Sequence, residues 1–384
     1  MNSEEKLRQE AIRLYLQDVP ISSIAAQLSR TRQWVYKWIS RYQSSNGQVN
    51  WYEDLSKAPL INPNKVCKSI ENSIVQVRKQ LSSKPYSQQG AVSIMYELRT
   101  LGVKPPSIST INRVLKKHNL IEKEKPRTSH SREYPDNYIN VQQMDLIGPR
   151  YLKGGFKFYI FTIIDIENHF AGIYPIRNKA ASSITPCVAD FWVQYQKSDF
   201  LQMDNELSFK GSNRHPRGLG LLLRMAISNH VTPVFIPPAE PWRNGVVEKF
   251  NDTVKKYFLK QPFATFEDMQ AEAKNFVLFH NANHRYSSQN NKSANEMVAD
   301  MKTLSKLEEE IDFTQKPVIE EGQLIFIRFI RSDLKLSVLN SEFIVSKELV
   351  YSYVEAVIQI EKHFLAVYHK GRVYHYFEFA MPLS

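Results

Sequence analysis

The chain has 384 residues and a mass of 44.7 kDa, with 42% hydrophobic and 23% charged residues. These are ordinary globular proportions, which exclude wholesale disorder and predict two or three domains. Only Cys67 and Cys187 are available, so neither a disulfide framework nor a four-cysteine zinc site is expected. The longest apolar runs fall short of a membrane span and Met1-Asn2-Ser3-Glu4-Glu5 lacks signal-peptide character, so a cytoplasmic protein with no membrane partner is expected. The formal charge is +11. Residues 1–144 hold 22 Lys/Arg against 12 Asp/Glu, residues 145–300 hold 18 against 15, and residues 301–384 hold 10 against 12. A basic excess confined to the first third is the footprint of a polyanion partner.

In chain order, Leu7, Ala11, Leu14 and Tyr15 form one apolar stripe, and Ile21, Ile24, Ala25 and Leu28 form a second. After Ser29-Arg30-Thr31, the residues Trp34, Val35, Trp38 and Ile39 form a third. The periodicity predicts helix, helix, short turn, helix over residues 1–48, the arrangement in which the last helix enters a DNA major groove. Its outward positions are Arg30, Arg32, Gln33, Tyr36, Lys37 and Arg41, types suited to base and phosphate contact. A linker is expected at 49–64, and the pattern recurs over 65–121 as a second, winged-type helix-turn-helix module. There Ser107 caps a helix with Ile108, Ile111, Val114 and Leu115 inward and Ser109, Thr110, Asn112, Arg113, Lys116 and Lys117 outward. Residues 122–137 are polar and Pro-broken, predicting another linker.

From residue 138 the texture changes. Strands are predicted at Ile139–Ile147, Phe156–Ile166, Phe170–Ile176, Phe200–Met203 and Val231–Ile236, with helices at Ile184–Tyr195, Leu219–Asn229 and Gly245–Leu259. This order gives an α/β layer with a mixed five-stranded sheet over 138–300. Asp145 lies inside the first strand, Asp204 ends the fourth, and Glu248 lies one turn into the last helix. An acid within an apolar strand is costly unless a cation or partner compensates it, and a divalent metal relieves the repulsion among converging carboxylates.

These residues stand in motifs. Gln143-Met-Asp145-Leu-Ile-Gly-Pro149, Gln202-Met-Asp204-Asn205 and Pro238-Ala-Glu-Pro-Trp-Arg-Asn-Gly-Val-Val-Glu248-Lys-Phe-Asn251 resemble the core of DDE transposases and retroviral-type integrases. Phe279-His-Asn-Ala-Asn-His284, Lys292-Ser-Ala-Asn-Glu-Met-Val and Trp51-Tyr-Glu-Asp-Leu-Ser-Lys-Ala-Pro59 extend the resemblance, the last to insertion-sequence transposases, over roughly residues 5–300. The resemblance implies a ribonuclease H-like fold and a DNA transposase that cuts and joins element ends. It also implies two Mg²⁺ ions, with Mn²⁺ as a substitute, held by Asp145, Asp204 and Glu248 as catalytic and metal-binding residues.

Two features depart from the family. Glu206 follows Asp204-Asn205 where Gly is usual, and 44 positions separate Asp204 from Glu248, a wider gap than usual. The surplus is assigned to a turn-rich insertion, Gly211–Gly218, since loop lengthening is energetically mild. Glu240 is the rival third acid, read as a loop residue, and Asp165 is read as structural. Asn244, Asn251 and Lys255 fall at −4, +3 and +7 from Glu248, on one helix face, and Asn244 and Lys255 are taken as DNA contacts.

Residues 301–384 are predicted to hold a charged helical linker ending at Asp312, then a small β-barrel. The barrel's runs are Gln323–Ile330, Phe343–Val345, Val354–Ile360, Phe364–Tyr368 and Val373–Phe379, with a hairpin turn at His369-Lys-Gly-Arg372. Being net acidic, it is read as a subunit contact. The expected partners are double-stranded DNA, both terminal inverted repeats and target, and further copies of the chain, at least a dimer. If the protein is bacterial, a nucleoid-associated location follows. The alternatives are a catalytically silent DNA-binding regulator and a plain ribonuclease H-like nuclease.

Overall fold

The stripes at the N-terminus do form three helices. The computed structural model describes residues 3–45, 50–55, 66–121, 133–211, 217–301, 305–307, 311 and 317–381, and separates into two compact units, Met1–Lys65 and Val66–Ser384. Most of both predicted linkers, the centre of the 211–218 insertion and most of the charged segment before Asp312 lie outside the described residues.

In the first unit, α1 (Ser3–Tyr15), α2 (Ile21–Gln27) and α3 (Arg32–Ser44) close over Ala11, Ile12, Leu14, Ile24, Ala25, Val35 and Ile39. The Thr31 hydroxyl accepts the Trp34 N–H at 3.2 Å, satisfying one of the free amides that open α3. Trp38 is buried, with the Arg8 guanidinium 4.2 Å from its ring centre. Arg8 also donates to the Tyr52 carbonyl at 2.7 Å and to Asp54 at 3.0 Å, tying the segment after α3 back onto α1.

The second unit begins with α4 (Lys68–Ser83), α5 (Ala91–Thr100) and α6 (Ile108–Lys117), packed through Ile74, Val77, Leu81, Ile94, Leu98, Ile111 and Leu115. The Ser107 hydroxyl accepts the Thr110 N–H at 3.3 Å, the predicted cap. Tyr86, between α4 and α5, seats this module on the rest of the unit. Its ring meets Phe276 edge-on at 5.3 Å, and its carbonyl lies 2.6 Å from His284 Nε2.

Next come β1 (Val141–Tyr151), β2 (Lys157–Asp165), β3 (Ala171–Ile176), α7 (Ala181–Gln194), β4 (Phe200–Met203), α8 (Leu207–Lys210), α9 (Leu221–Ser228) and β5 (Thr232–Phe235). They are followed by α10 (Gly245–Thr253), α11 (Phe266–Asn283) and α12 (Ala294–Ala299). Strands β1, β2 and β3 pair antiparallel, and β4 and β5 continue parallel from β1, giving a mixed sheet in the order β3-β2-β1-β4-β5. One face packs on α7 and α9 through Met144, Phe161, Ile163, Trp192 and Leu222; the other packs on α10 and α11 through Ile160, Ile164, Val247, Phe250 and Phe276.

The last third departs from expectation. Strands β6 (Gln323–Phe329), β9 (Tyr353–Gln359), β10 (Phe364–His369) and β11 (Arg372–Glu378) join the same sheet, which has nine strands in the order β11-β10-β9-β6-β5-β4-β1-β2-β3. Among the described residues, only β7 (Lys335–Val338) and β8 (Ser341–Ile344) stand apart, as a hairpin. The expected five-stranded sheet and free-standing barrel are thus replaced by one extended sheet. The physical reason is the open edge of β5, which β6 takes up in parallel at Val234↔Ile325 and Phe235↔Phe326, with the two phenyl rings stacked at 4.7 Å. Phe326, Val354, Ile358 and Leu365 then share the α7–α9 core instead of enclosing one of their own. The predicted hairpin turn forms, with Lys370 at φ 50° and Gly371 at φ 73°.

The described ends of the insertion meet at a pair of glycines. Gly211, at φ 104°, lies so close to Gly220 that a Cβ there would stand 2.7 Å from the Gly220 nitrogen. The Gly220 N–H donates to the Lys210 carbonyl at 3.2 Å, so the chain leaves and returns at one point.

Candidate active site

Strand alternation turns Gln143, Asp145 and Ile147 toward α10. Gln143 Oε1 accepts the N–H groups of Val246 and Val247, both at 3.1 Å, capping the start of that helix. Asn244 donates to the Met144 carbonyl at 3.0 Å. From the neighbouring strand β4, Gln202 donates to the Arg243 carbonyl at 3.0 Å and to Asn244 Oδ1 at 3.2 Å. One helical turn further, Asn251 donates to Asp145 Oδ2 at 2.7 Å. Four amide side chains therefore fix α10 against β1 and β4. A cleft of about 610 Å³ opens there, lined by Asp145, Glu248, Asn251, Asp252, Lys255 and Trp242 among others.

Asp204 directly follows β4, next to β1, since Gln202 pairs with Gln143, and its Oδ1 accepts the Glu206 N–H at 2.9 Å. Burial pushes the Asp145 carboxyl up to about 6; the Leu146 N–H, donated at 2.7 Å, opposes this, the charges of Asp204 and Glu248 add to it, and Lys255 again opposes. Burial also raises Asp204, against the Glu206 N–H, with the Glu206 charge raising it further and Lys179 lowering it. Glu248 is raised by burial and by Asp252, and lowered by Lys255. The Asp145 carboxyl feels both other acids of the trio.

A buried aspartate repelled by two neighbouring acids suits a hard divalent cation. Among the described residues, no three His, Cys, Asp or Glu side chains stand close enough to hold one ion together. An ion here would therefore rest on one or two carboxylates, with water and phosphate oxygens filling its shell, as Mg²⁺ prefers.

The other expected site residues divide. Arg32, Gln33, Tyr36 and Lys37 are exposed on α3, as are Ser109, Asn112, Arg113, Lys116 and Lys117 on α6, with Thr110 half-buried. Arg30 is half-buried and paired with Glu4; Arg41 lies over Trp38, 4.9 Å from its ring, and donates to the Glu53 carbonyl. Lys117 bonds Glu71 at 2.7 Å. Lys255 lies at the cleft, in a π-helical turn (Val254–Phe258) that continues α10. Asn244, expected to meet DNA, is instead buried, because its amide bridges β1 and β4. Glu240 is occupied by Arg243 at 3.1 Å and by the Tyr353 hydroxyl at 2.8 Å; neither it nor Asp204 is among the residues that line the cleft of Asp145 and Glu248. Asp165 is buried, accepting from the Glu167 N–H at 2.9 Å and the Tyr195 hydroxyl at 3.0 Å.

Sequence reasoning passed over Gln143 and Gln202 as functional supports. A signal existed: both aspartate motifs read Gln-Met-Asp, placing an amide two residues before each acid, on the same face of its strand.

Residues 2–49 match the homeodomain-like domain family and residues 229–293 match the integrase core domain family. The second match contains Glu248 and ends before β6. No curated protein sequence matches the chain. Among solved structures, the HTLV-2 integrase catalytic core domain in complex with magnesium aligns in its trimeric form (14% identity, 41% of this chain and 94% of that one, TM-score 0.32). Its dimeric form aligns at 15% identity, over 41% and 95%, with TM-score 0.32. The catalytic core domain of BIV integrase aligns at 15% identity, over 42% and 94%, with TM-score 0.31. No helix among the described residues is long and apolar enough to cross a membrane. The chain is thus similar to a homeodomain-like domain over residues 2–49 and to an integrase core domain over residues 229–293.

Proposed function

We propose that the protein is a DNA transposase that cuts and joins the ends of its own element, with Asp145, Asp204 and Glu248 as the catalytic carboxylates and Mg²⁺ as cofactor. The observation that carries this reading is the amide lattice of Gln143, Gln202, Asn244 and Asn251, which holds a glutamate-bearing helix against two aspartate-bearing strands. An amide that only filled a core would not need to hold a carboxylate oxygen at 2.7 Å beside an open cleft. Asn251 occupies Asp145 Oδ2 and the Leu146 N–H occupies Oδ1, which fixes the carboxylate and leaves each oxygen a second lone pair for a cation. Lys255 offers a cation at the cleft mouth for a backbone phosphate, and Asp145, Asp204 and Glu248 would hold the ions. When bound, paired Mg²⁺ ions supply charge neutralisation at the attacking and leaving oxygens of an in-line phosphoryl displacement.

The helical segments supply the specificity that such chemistry needs. The exposed faces of α3 and α6 carry Arg32, Gln33, Lys37, Arg113 and Lys116, and bind the terminal repeats. We assign 1–48 and 65–121 to end binding, 138–300 to catalysis and 301–384 to support of the core, joined by linkers at 49–64 and 122–137. One trio makes one site, so joining two ends requires at least a dimer. The test is incubation of the full chain with a duplex bearing the element end, in Mg²⁺ and in EDTA. End-specific nicking that needs Mg²⁺ supports the reading, and end binding without nicking favours a silent regulator.

A further inference from the structure

The residues that hold Glu248 and Asp145 all come from within the integrase-type core, but the turn carrying Asp204 is secured from outside it. Arg328, on β6, donates from one terminal nitrogen to Asn205 Oδ1 at 2.8 Å. Its other terminal nitrogen donates to the Ile236 carbonyl at 3.2 Å and the Ile327 carbonyl at 2.9 Å, and its Nε donates to the Ser337 carbonyl at 3.0 Å. Asn205 in turn donates to the same Ile236 carbonyl at 2.6 Å. The Ile236 N–H donates to the Met203 carbonyl at 3.1 Å. These bonds close a ring around residues 203–205: the end of β4, the end of β5 and a guanidinium from β6.

We propose that Arg328 is a positioning residue for Asp204, acting through Asn205, and that the C-terminal sheet extension is thereby a working part of the active site. Three features support this. First, the guanidinium is spent on neutral acceptors, and no carboxylate pairs with it among the described residues; a cation kept only for fold stability would gain more from an acid. Second, only a planar fork of several donors reaches Asn205, Ile236 and Ser337 at once, which a lysine cannot copy. Third, Asn205 directly follows Asp204, so any slack in its amide passes to the carboxylate within one peptide unit. The inference rests on the proposed role of Asp204 in holding a divalent ion. Partners that orient a ligating side chain typically matter tenfold to a hundredfold for metal affinity.

The experiment measures Mn²⁺ binding to the full chain by calorimetry, alongside end cleavage, for wild type, Asp204→Asn, Arg328→Gln, Arg328→Lys and Asn205→Ala. The inference predicts roughly tenfold to hundredfold weaker Mn²⁺ binding in Arg328→Gln and in Asn205→Ala, no further loss when they are combined, and unchanged affinity for end DNA. Arg328→Lys should recover little of the loss. If Arg328→Gln does not fold, Asn205→Ala and Arg328→Lys carry the same comparison. Folded variants with wild-type Mn²⁺ affinity, or losses that simply add, overturn the role of Arg328 while leaving the trio in place. A wild-type protein that binds no Mn²⁺, or an Asp204→Asn protein that binds it equally well, overturns the proposed function and this inference together.

Discussion

Asp145→Asn should make the metal-free protein more stable while removing its activity. The Asp145 carboxyl is pushed from 3.8 up to about 6, chiefly by burial. A raised carboxyl means that the folded state holds a proton the unfolded chain has already released between about pH 4 and pH 6. Stability therefore falls as pH rises through that window, and stays lower above it. A shift of about two units at 1.4 kcal/mol each corresponds to roughly 3 kcal/mol at pH 8. Asparagine removes this cost but spoils one of the two bonds now made to the Leu146 and Asn251 N–H groups at 2.7 Å. That loss is about 1 kcal/mol, leaving a net gain of about 2 kcal/mol, or several degrees in Tm. The assay is thermal unfolding of wild type and Asp145→Asn at pH 5 and pH 8, in EDTA and in Mg²⁺. The gain should appear at pH 8 in EDTA, shrink at pH 5, and shrink again in Mg²⁺, which relieves the same repulsion in wild type only. An Asp145→Asn protein no more stable than wild type at pH 8 in EDTA would falsify the view that this carboxylate is held at an energetic cost.

Gln143→Ala should lower both stability and cleavage, since it strips the acceptor from the Val246 and Val247 N–H groups; about 1–3 kcal/mol in denaturant melts is expected, and an unchanged midpoint contradicts the capping role. Glu240→Gln should leave cleavage nearly intact while weakening the fold by about 1 kcal/mol, because it breaks the pair with Arg243; a severe loss of cleavage in a folded protein would reassign the third acid. Arg32→Ala and Gln33→Ala should relax preference among end sequences at about 1–3 kcal/mol each, whereas Lys116→Ala should weaken all duplexes alike and lessen the salt dependence of binding; competition binding across a salt series separates the two behaviours.

Elements with a local cause were legible in the sequence. The stripes at Ile24, Val35 and Ile39 predict helices because burial of one face follows from period alone, and Thr31 and Ser107 announce their caps. The strand at Phe200–Met203 is a short apolar run between polar stretches, and it lies where that pattern puts it. Pairing was not legible. The runs after residue 322 alternate as strands should, but alternation carries no information about which edge they join, and a barrel closed on itself satisfies it as well as an extension of β5 does. Asn244 failed for a related reason. Helical spacing places it on the face of Glu248, yet it lies at the helix start, in a tight turn facing β1, where a buried amide meets a strand carbonyl instead of solvent. Arg328 is separated from Asn205 by 123 residues, so no local pattern joins them.

The catalytic unit proposed is Asp145, Asp204 and Glu248 acting together. Its most direct test is the single-turnover rate of donor-strand cleavage for Asp145→Asn, Asp204→Asn, Glu248→Gln and their double variants, with end binding measured on the same preparations. Each single variant should lose cleavage while binding ends as wild type does, and the double variants should be scarcely slower than the singles. Any single variant that binds ends and keeps more than about a tenth of the wild-type rate would contradict the account, since losing one member of such a unit should remove nearly all of its catalysis.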